Sequence, residues 1–245
     1  MGAVAQTPQT QCLTPPASGW LWHPSDVKPR YMTWSGHGGG FERRGYHHGN
    51  LREALMEAAL SLIAESGPAA FTISEAARRA GVSPAAPYRH FRDADALLAE
   101  VALRGFERLA EALTTAWNGA RPDPVTAFER LGRAYLAFAR NEPAYYAAMF
   151  ETRVAAEDYP PLAVAGDRAF RVLREAAEQV TASLPKEKRP PSLMMALHVW
   201  ALSHGIASLF CRPDRARRKL PMSPEDLLEA GVLLYLQGLG LGGRG

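Results

Sequence analysis

Residues 72–91 read TISEAARRAGVSPAAPYRHF and predict two short helices joined by a tight turn. The Thr72 hydroxyl is placed to accept a hydrogen bond from an unpaired amide of the first helical turn. Glu75, three residues later, is spaced to complete a capping box by reaching back to the Thr72 amide. Gly81 follows the first helix at the position where a left-handed backbone ends a helix without strain.

The second short helix has its own start signals. Ser83 suits the N-cap, and Pro84 suits the first helical position, where the missing proline N–H is not needed. Small side chains at Ala77 and Ala80 allow the two helix axes to approach closely at a large angle. Two short helices arranged in this way form a helix-turn-helix, whose second helix enters the DNA major groove.

The stretch resembles the helix-turn-helix of the TetR family of transcriptional regulators. The matching residues are Thr72, Ala77, Ala-Gly-Val-Ser at 80–83 and Tyr-Arg-His-Phe at 88–91. The resemblance implies an all-α, nine-helix fold, with a three-helix DNA-binding head and a helical domain that binds a small molecule and dimerises through its last two helices. A capped helical hairpin inside some other helical protein is the alternative reading of the motif alone.

The resemblance and the docking geometry together assign roles to residues at the predicted DNA surface. Ala85 and Ala86 lie at the start of the recognition helix, where they can touch thymine methyl groups. Tyr88 and His90 match positions that hydrogen-bond phosphates in the family, and Arg89 reads a base or a phosphate. The predicted DNA-binding set is Thr72, Ser83, Pro84, Ala85, Ala86, Tyr88, Arg89, His90, Arg92, Arg43 and Arg44.

The predicted head, residues 46–92, together with the two arginines just before it, carries the excess charge of the chain. Residues 43–92 contain seven arginines and four glutamates, and seven minus four gives +3, which equals the net charge of the whole chain. A local positive excess supplies the sequence-independent attraction to phosphates. Arg43 and Arg44 either lie along a DNA groove as a basic arm or belong to a solvated tail, and both interpretations stay open.

Pro87 stands where most members of the family carry leucine. Proline has no amide hydrogen, so the first intrahelical bond to the Ser83 carbonyl is lost. We therefore expect the first turn of the recognition helix, residues 84–91, to be tightened or irregular.

The rest of the chain reads as further helices, because no segment alternates with the period of a strand for long. Residues 1–45 are rich in proline and glycine and predict a disordered tail. The predicted ligand-binding and dimerisation domain is 93–245. Its six helices are expected to open at Asp93, Asp123, Pro143, Pro160, Pro190 and Ser223.

An aromatic pattern in this second domain predicts a ligand pocket. Trp200 and His204 share a helix face, and residues 200–205 resemble the Trp…His-Gly signature of one TetR subgroup. Ligand sites are mostly apolar with few polar groups, although the same side chains would also suit a plain core. The predicted ligand-binding set is Phe138, Tyr145, Tyr146, Met149, Phe150, Trp200 and His204.

Composition excludes several classes of protein. The only cysteines, Cys12 and Cys211, form neither a disulfide framework nor a zinc site, which favours a reducing cytoplasm. We expect no cofactor and no metal, no signal peptide, and no uninterrupted apolar run of about 18 residues that would span a membrane.

The sequence thus predicts a sequence-specific DNA-binding regulator, a ligand-responsive repressor that binds a palindromic operator as a cytoplasmic homodimer. The alternatives are an all-helical enzyme, or a ligand-binding module with a vestigial DNA head. An enzyme is disfavoured because the chain has no Glu-x-x-His pair, no nucleophile motif and no phosphate-cradling glycine loop ahead of a helix.

Overall fold

A computed structural model describes residues 51–211 and 221–241, and within these residues the chain is helical without strands. The α-helices are α1 (Leu51–Ser66), α2 (Ile73–Arg79), α3 (Ala94–Trp117), α4 (Pro124–Asn141), α5 (Pro143–Phe150), α6 (Pro160–Ala182), α7 (Ser192–Phe210) and α8 (Pro224–Gly238). The predicted all-α fold class is confirmed. The predicted tail 1–45, with Arg43 and Arg44, lies outside the described residues.

Helix α2 begins and ends at the residues that the sequence indicates. Thr72 has an extended backbone, and its Oγ1 accepts from the Glu75 amide at 3.2 Å. Gly81 has φ of 71°. The Val82 amide donates to the Ala77 carbonyl at 3.0 Å, and the Gly81 amide donates to the carbonyl three positions before it at 3.2 Å. These two bonds form a Schellman C-cap, which satisfies carbonyls that a helix end otherwise leaves unpaired.

The predicted capping box of α2 is only half formed. The Glu75 carboxylate accepts from Arg78 instead, with Nε 3.0 Å away. A salt bridge one turn along the helix offers the carboxylate a charged donor, which is a stronger partner than the neutral Thr72 amide.

The recognition segment, residues 83–91, is where the structure departs most from the predicted helix. It forms a turn followed by a short 3-10 turn, Pro87–Arg89. The Ser83 carbonyl accepts from the Ala86 amide at 3.0 Å, a tighter closure than an α-helical bond. Pro87 offers no amide hydrogen, which explains this closure. The predicted irregularity is confirmed, and the described residues accordingly contain eight α-helices instead of nine.

The predicted cap at Ser83 is wrong for the same reason. The 3-10 turn starts after Ala86, and no side chain caps it. Its end is closed by backbone bonds, since the His90 and Phe91 amides both donate to the Pro87 carbonyl at 2.9 Å.

Two buried clusters hold the helices together, and α3 belongs to both. The head cluster joins α1, α2 and the recognition segment around Leu55, Ile73 and Phe91. The body cluster joins α4, α6, α7 and α8 around Phe128 and Met195. Early residues of α3 pack in the head cluster and later ones in the body cluster. The predicted domain boundary at 92/93 falls at the start of this shared helix and stays a prediction.

Ion pairs clamp α1 onto α3 at the surface. Arg104 binds the Glu53 carboxylate through both terminal nitrogens. Arg52 Nη2 lies 2.9 Å from Glu100 Oε2. The hydrogen bonds from Arg104 hold the pKa of Glu53 below its usual range. These side chains are 25% to 44% exposed, so each pair adds little to stability. Their geometric effect is to make α1 move with α3.

Helix α7 is unusually apolar. Although no long uninterrupted apolar run is present, Lys186–Phe210 is the one described stretch long and apolar enough to cross a membrane by length and composition. One side of α7, with Met195, Val199 and Ile206, is buried in the body cluster. That burial makes α7 a core helix of this fold, with an apolar outer side.

Candidate DNA interface and small-molecule cavity

The recognition segment turns small and polar side chains toward solvent. Pro87 and Phe91 point inward and are buried, which leaves the positions between them outside. The Tyr88 side chain is 55% exposed. The predicted DNA-binding residues with exposed side chains are Thr72, Ser83, Pro84, Ala85, Tyr88, Arg89, His90 and Arg92, whereas Ala86 is half-buried.

Most arginines of the head are engaged by carboxylates. The pairs are Arg52–Glu100, Arg78–Glu75, Arg79–Glu65 and Arg92–Asp93. Arg89, by contrast, makes no ion pair with any residue in the described part of the chain. Its guanidinium would therefore bind a phosphate without first giving up an ion-pair partner, and the DNA contact of Arg89 stays a prediction.

Arg92 is held by the body as well as by its neighbour. Its Nε donates to Asp93 at 3.0 Å, and its guanidinium carbon lies 4.9 Å from the centre of the Tyr159 ring. Interaction with Tyr159, and then with Asp93, raises the pKa of Arg92. A phosphate would have to compete with these contacts, so the DNA role of Arg92 stays a prediction.

A cavity of about 370 Å³ lies between α3, α4, α6 and α7, with the end of α5 at one wall. Its wall contains aromatic and aliphatic side chains and no charged residue of the described chain. The lining residues are Phe106, Leu109, Leu113, Leu131, Gly132, Tyr135, Phe150, Gly166, Ala169, Phe170, Leu173, Leu197, Trp200 and Ser203. A pocket of this size and composition is typical of a small-molecule site.

The structure brings only part of the predicted ligand set to this cavity. Phe150 and Trp200 line it directly. Tyr146 and His204 lie behind the wall and bind a wall residue, as described below. The remaining three residues pack elsewhere.

Phe138 is buried in the body cluster, away from the lining. Met149 fills the space beside Gly105, where an added Cβ would approach its sulfur to 2.6 Å. Tyr145 lies under the Arg108 guanidinium, 5.2 Å from its ring centre. The placement of Met149 and Tyr145 follows from the packing of α5 on α3, a contact that spacing within α5 does not indicate.

Tyr135 is one of the twelve lining residues that the predicted ligand set does not include. It lies on the same apolar stripe of α4 as Phe128 and Leu131, all three buried. Helical spacing from Phe138 was the signal that could have found it, because residues three and four apart share one face.

A polar cluster backs the cavity wall. The Tyr135 and Tyr146 hydroxyls converge on one nitrogen of His204, Nδ1, at 2.8 and 3.1 Å. The His204 ring also stacks on Tyr146, with centroids 5.7 Å apart. Burial lowers the pKa of His204, opposed by the Glu151 carboxylate, and burial raises the pKa of Tyr135. A neutral imidazole thus ties α7 to α4 and α5.

We expect His204→Ala to lower the free energy of unfolding by about 2–3 kcal/mol, because two tyrosine hydroxyls lose a hydrogen-bond partner. Tyr146→Phe is the matched control. It removes one hydroxyl and leaves the other paired, and should cost about 1 kcal/mol. Urea unfolding measures both, and equal losses would contradict a shared role for the His204 nitrogen.

Among the residues that the structure describes, no group of three or more histidine, cysteine, aspartate or glutamate side chains is arranged to hold a metal ion.

Solved structures share the fold across nearly their whole length. A protein of unknown function from Rhodococcus sp. RHA1 is 29% identical, covers 80% of this chain and 98% of its own, and has a TM-score of 0.66. The TetR family regulator PfmR from Thermus thermophilus is 23% identical, with coverages of 75% and 97% and a TM-score of 0.59. The fatty acid degradation regulator FadR from Bacillus halodurans is 15% identical, with coverages of 77% and 95% and a TM-score of 0.61. No curated protein matches the chain significantly.

Family models match both halves of the described chain. Residues 55–101 match the model of bacterial regulatory proteins of the tetR family, and residues 128–234 match the tetracyclin repressor-like C-terminal domain. The first match spans the helix-turn-helix and the second spans most of the cavity wall. With the fold and the exposed recognition segment, these matches show that the chain belongs to the TetR family of DNA-binding transcriptional regulators.

Proposed function

We propose that this protein is a ligand-responsive repressor that binds a roughly palindromic operator as a homodimer in the cytoplasm. The observation that carries the proposal is the double role of α3. Its first turns, at Leu97 and Leu98, are buried in the head cluster, to which Phe91 of the recognition segment also belongs. Its later residues, at Phe106, Leu109 and Leu113, form a wall of the cavity. One rigid helix therefore connects a DNA surface to a ligand site.

The homodimer is supported by an apolar surface that this chain leaves uncovered. Leu193, Met194, Leu197 and Leu209 are exposed on α7, and Leu233 and Leu234 are exposed on α8. Contiguous apolar patches on a folded protein mark places where another molecule packs. In the family that the chain belongs to, the last two helices form the dimer interface, so a second copy is the proposed occupant.

A dimer explains how a short recognition segment achieves specificity. A two-fold axis places two copies of the segment on one face of the DNA, where successive major grooves lie about 34 Å apart. The operator then has the same approximate two-fold symmetry as the protein.

The ligand would act by changing the spacing of the two heads. A molecule in the cavity touches α3 on one side and α7 on the other, so it shifts α3 against the dimer helix. The Arg104–Glu53 pair carries that shift to α1 and the head. The ligand releases DNA only if it binds one head spacing better than the other, because equal affinity shifts no equilibrium.

The direct test is binding to the DNA upstream of the chain's own gene. We expect tight, salt-sensitive binding of one dimer to a short symmetric site, and much weaker binding to random DNA. A ligand-binding module with a vestigial head would bind both DNAs equally weakly. Catalytic turnover without specific DNA binding would favour the enzyme alternative.

We expect Tyr88→Phe and His90→Ala to weaken binding to operator and to random DNA by the same factor, because phosphate contacts carry no sequence information. Thr115→Ala, an exposed polar residue on α3 outside the predicted set, is the control and should leave both affinities unchanged. Fluorescence anisotropy measures the affinities. A loss on the operator alone would assign Tyr88 or His90 to base reading.

A further inference from the structure

We propose that the cavity between α3, α4, α6 and α7 takes a neutral, ring-containing apolar molecule, with no carboxylate, phosphate or ammonium group inside it. The inference rests on the proposed function, since it names the chemical class of the effector. It is carried by the chemistry of the wall and by its shape.

The wall offers no partner for a charge. Its polar side-chain groups are the hydroxyls of Tyr135 and Ser203 and the indole N–H of Trp200, which interacts with the Tyr135 oxygen. Both hydroxyls are already bound, the first to His204 Nδ1 at 2.8 Å and the second to the Val199 carbonyl at 2.8 Å. An ionised group placed there would lose its hydration and gain no counter-charge, which is strongly unfavourable.

No lysine or arginine of the described residues lines the cavity, and two arginines beside lining residues are held by carboxylates. Arg108, beside the lining residue Leu109, pairs with Glu142 and lies over the Tyr145 ring. Arg133, beside Gly132, pairs with Glu229 on α8. Neither Arg108 nor Arg133 belongs to the cavity wall, so the wall formed by the described residues supplies no cation for an anionic ligand.

Two edge-to-face aromatic pairs shape the cavity. The rings of Phe106 and Phe150 have centroids 5.5 Å apart, and those of Phe170 and Trp200 are 6.1 Å apart. Aromatic edges and faces exposed in this way prefer another aromatic ring in an offset or edge contact. Gly166 also lines the cavity, and a Cβ added there would lie 3.9 Å from the Phe106 ring, an ordinary van der Waals contact.

A pair of fluorescent probes tests the proposal on the full chain. N-phenyl-1-naphthylamine is neutral, and 8-anilino-1-naphthalenesulfonate has the same ring system with one sulfonate added. We expect the neutral probe to bind once per chain and to quench Trp200. The sulfonate should bind at least tenfold more weakly. Equal affinities would overturn the assignment of a neutral ligand.

Filling the cavity tests the location. Gly166→Leu should abolish binding of the neutral probe without lowering the melting temperature, because the new side chain enters open space. Gly166→Ala is the matched control, which adds one methyl group and should keep binding within a few-fold. If Gly166→Leu does not fold, Ala169→Leu fills the same cavity from the next helical turn. Unchanged probe binding in a folded filled variant would overturn the site.

Operator affinity measured with saturating neutral probe separates this inference from the proposed function. Reduced operator affinity would support both the ligand class of the cavity and the proposed function. Unchanged affinity, with the probe bound as expected, would contradict the coupling through α3 and leave the ligand class of the cavity standing.

Discussion

Leu233→Glu is expected to convert the protein to monomers and to abolish tight operator binding. Leu233 is 40% exposed on α8, beside Leu234, which is 69% exposed. In a two-fold interface each residue appears twice, so the substitution buries two unpaired carboxylates. Each buried ion without a partner costs several kcal/mol. Each operator half-site would then be bound by a separate monomer. We therefore expect operator affinity to fall at least 100-fold, which corresponds to about 3 kcal/mol of binding free energy.

Light scattering at micromolar concentration measures the mass, and fluorescence anisotropy measures operator affinity. Val164→Glu is the matched control, because Val164 is an equally apolar side chain, 66% exposed on α6, outside the proposed interface. It should remain dimeric and bind the operator normally. A dimeric Leu233→Glu protein with normal affinity would place the interface elsewhere and remove the argument for a symmetric operator.

Phe91→Ala is expected to abolish DNA binding by removing the anchor of the recognition segment. The Phe91 side chain is 3% exposed, packs in the head cluster, and has the Arg52 guanidinium 4.9 Å from its ring centre. Truncating a buried phenylalanine costs about 3–5 kcal/mol. For a chain of this size that lowers the melting temperature by roughly 6–20 °C. Binding to the operator and to random DNA should both be lost, because the whole DNA-binding surface of the protein loosens.

Phe71→Ala is the control for Phe91→Ala. Phe71 also packs against the head cluster but remains partly exposed, so its truncation removes less apolar contact. We expect less than half the loss of melting temperature and measurable operator binding. Calorimetry and anisotropy together decide the outcome. Equal losses from the two variants would show that Phe91 has no special role in holding the recognition segment.

Helix starts were predictable because the signals that set them act within one turn. Asp93 accepts from the Ala96 amide at 2.7 Å, and Asp123 accepts from the Thr126 amide at 3.0 Å. Ser223 and the residue three positions later form a complete capping box at the start of α8. Each cap needs only residues three apart in the chain, so local sequence contains the whole interaction.

The recognition segment shows how far a local argument reaches. The missing amide of Pro87 predicts a lost bond to Ser83, and the structure confirms the tightened closure there. From the missing amide alone, we would expect the segment to continue as an α-helix after an irregular first turn. The observed 3-10 turn also depends on burying Pro87 and Phe91 together against α1, and that packing involves residues far away in the chain.

The cavity depends on tertiary structure most strongly. Its walls come from separate helices, so its lining follows from how α3, α4, α6 and α7 pack and cannot be read from any one stripe. Aromatic periodicity indicated an apolar site, and two of its residues, Phe150 and Trp200, line the cavity. It missed Tyr135 and included Phe138, which the body cluster buries.

Local sequence was sufficient for the starts of α2, α3, α4 and α8, since those cap interactions close within a few residues. Tertiary packing alone placed the uncharged cavity and paired Arg52 with Glu100 and Arg79 with Glu65. Those features arise where side chains distant in sequence compete for the same space and the same charges. A linear pattern shows which side chains are available for such contacts, and the fold selects the ones that meet.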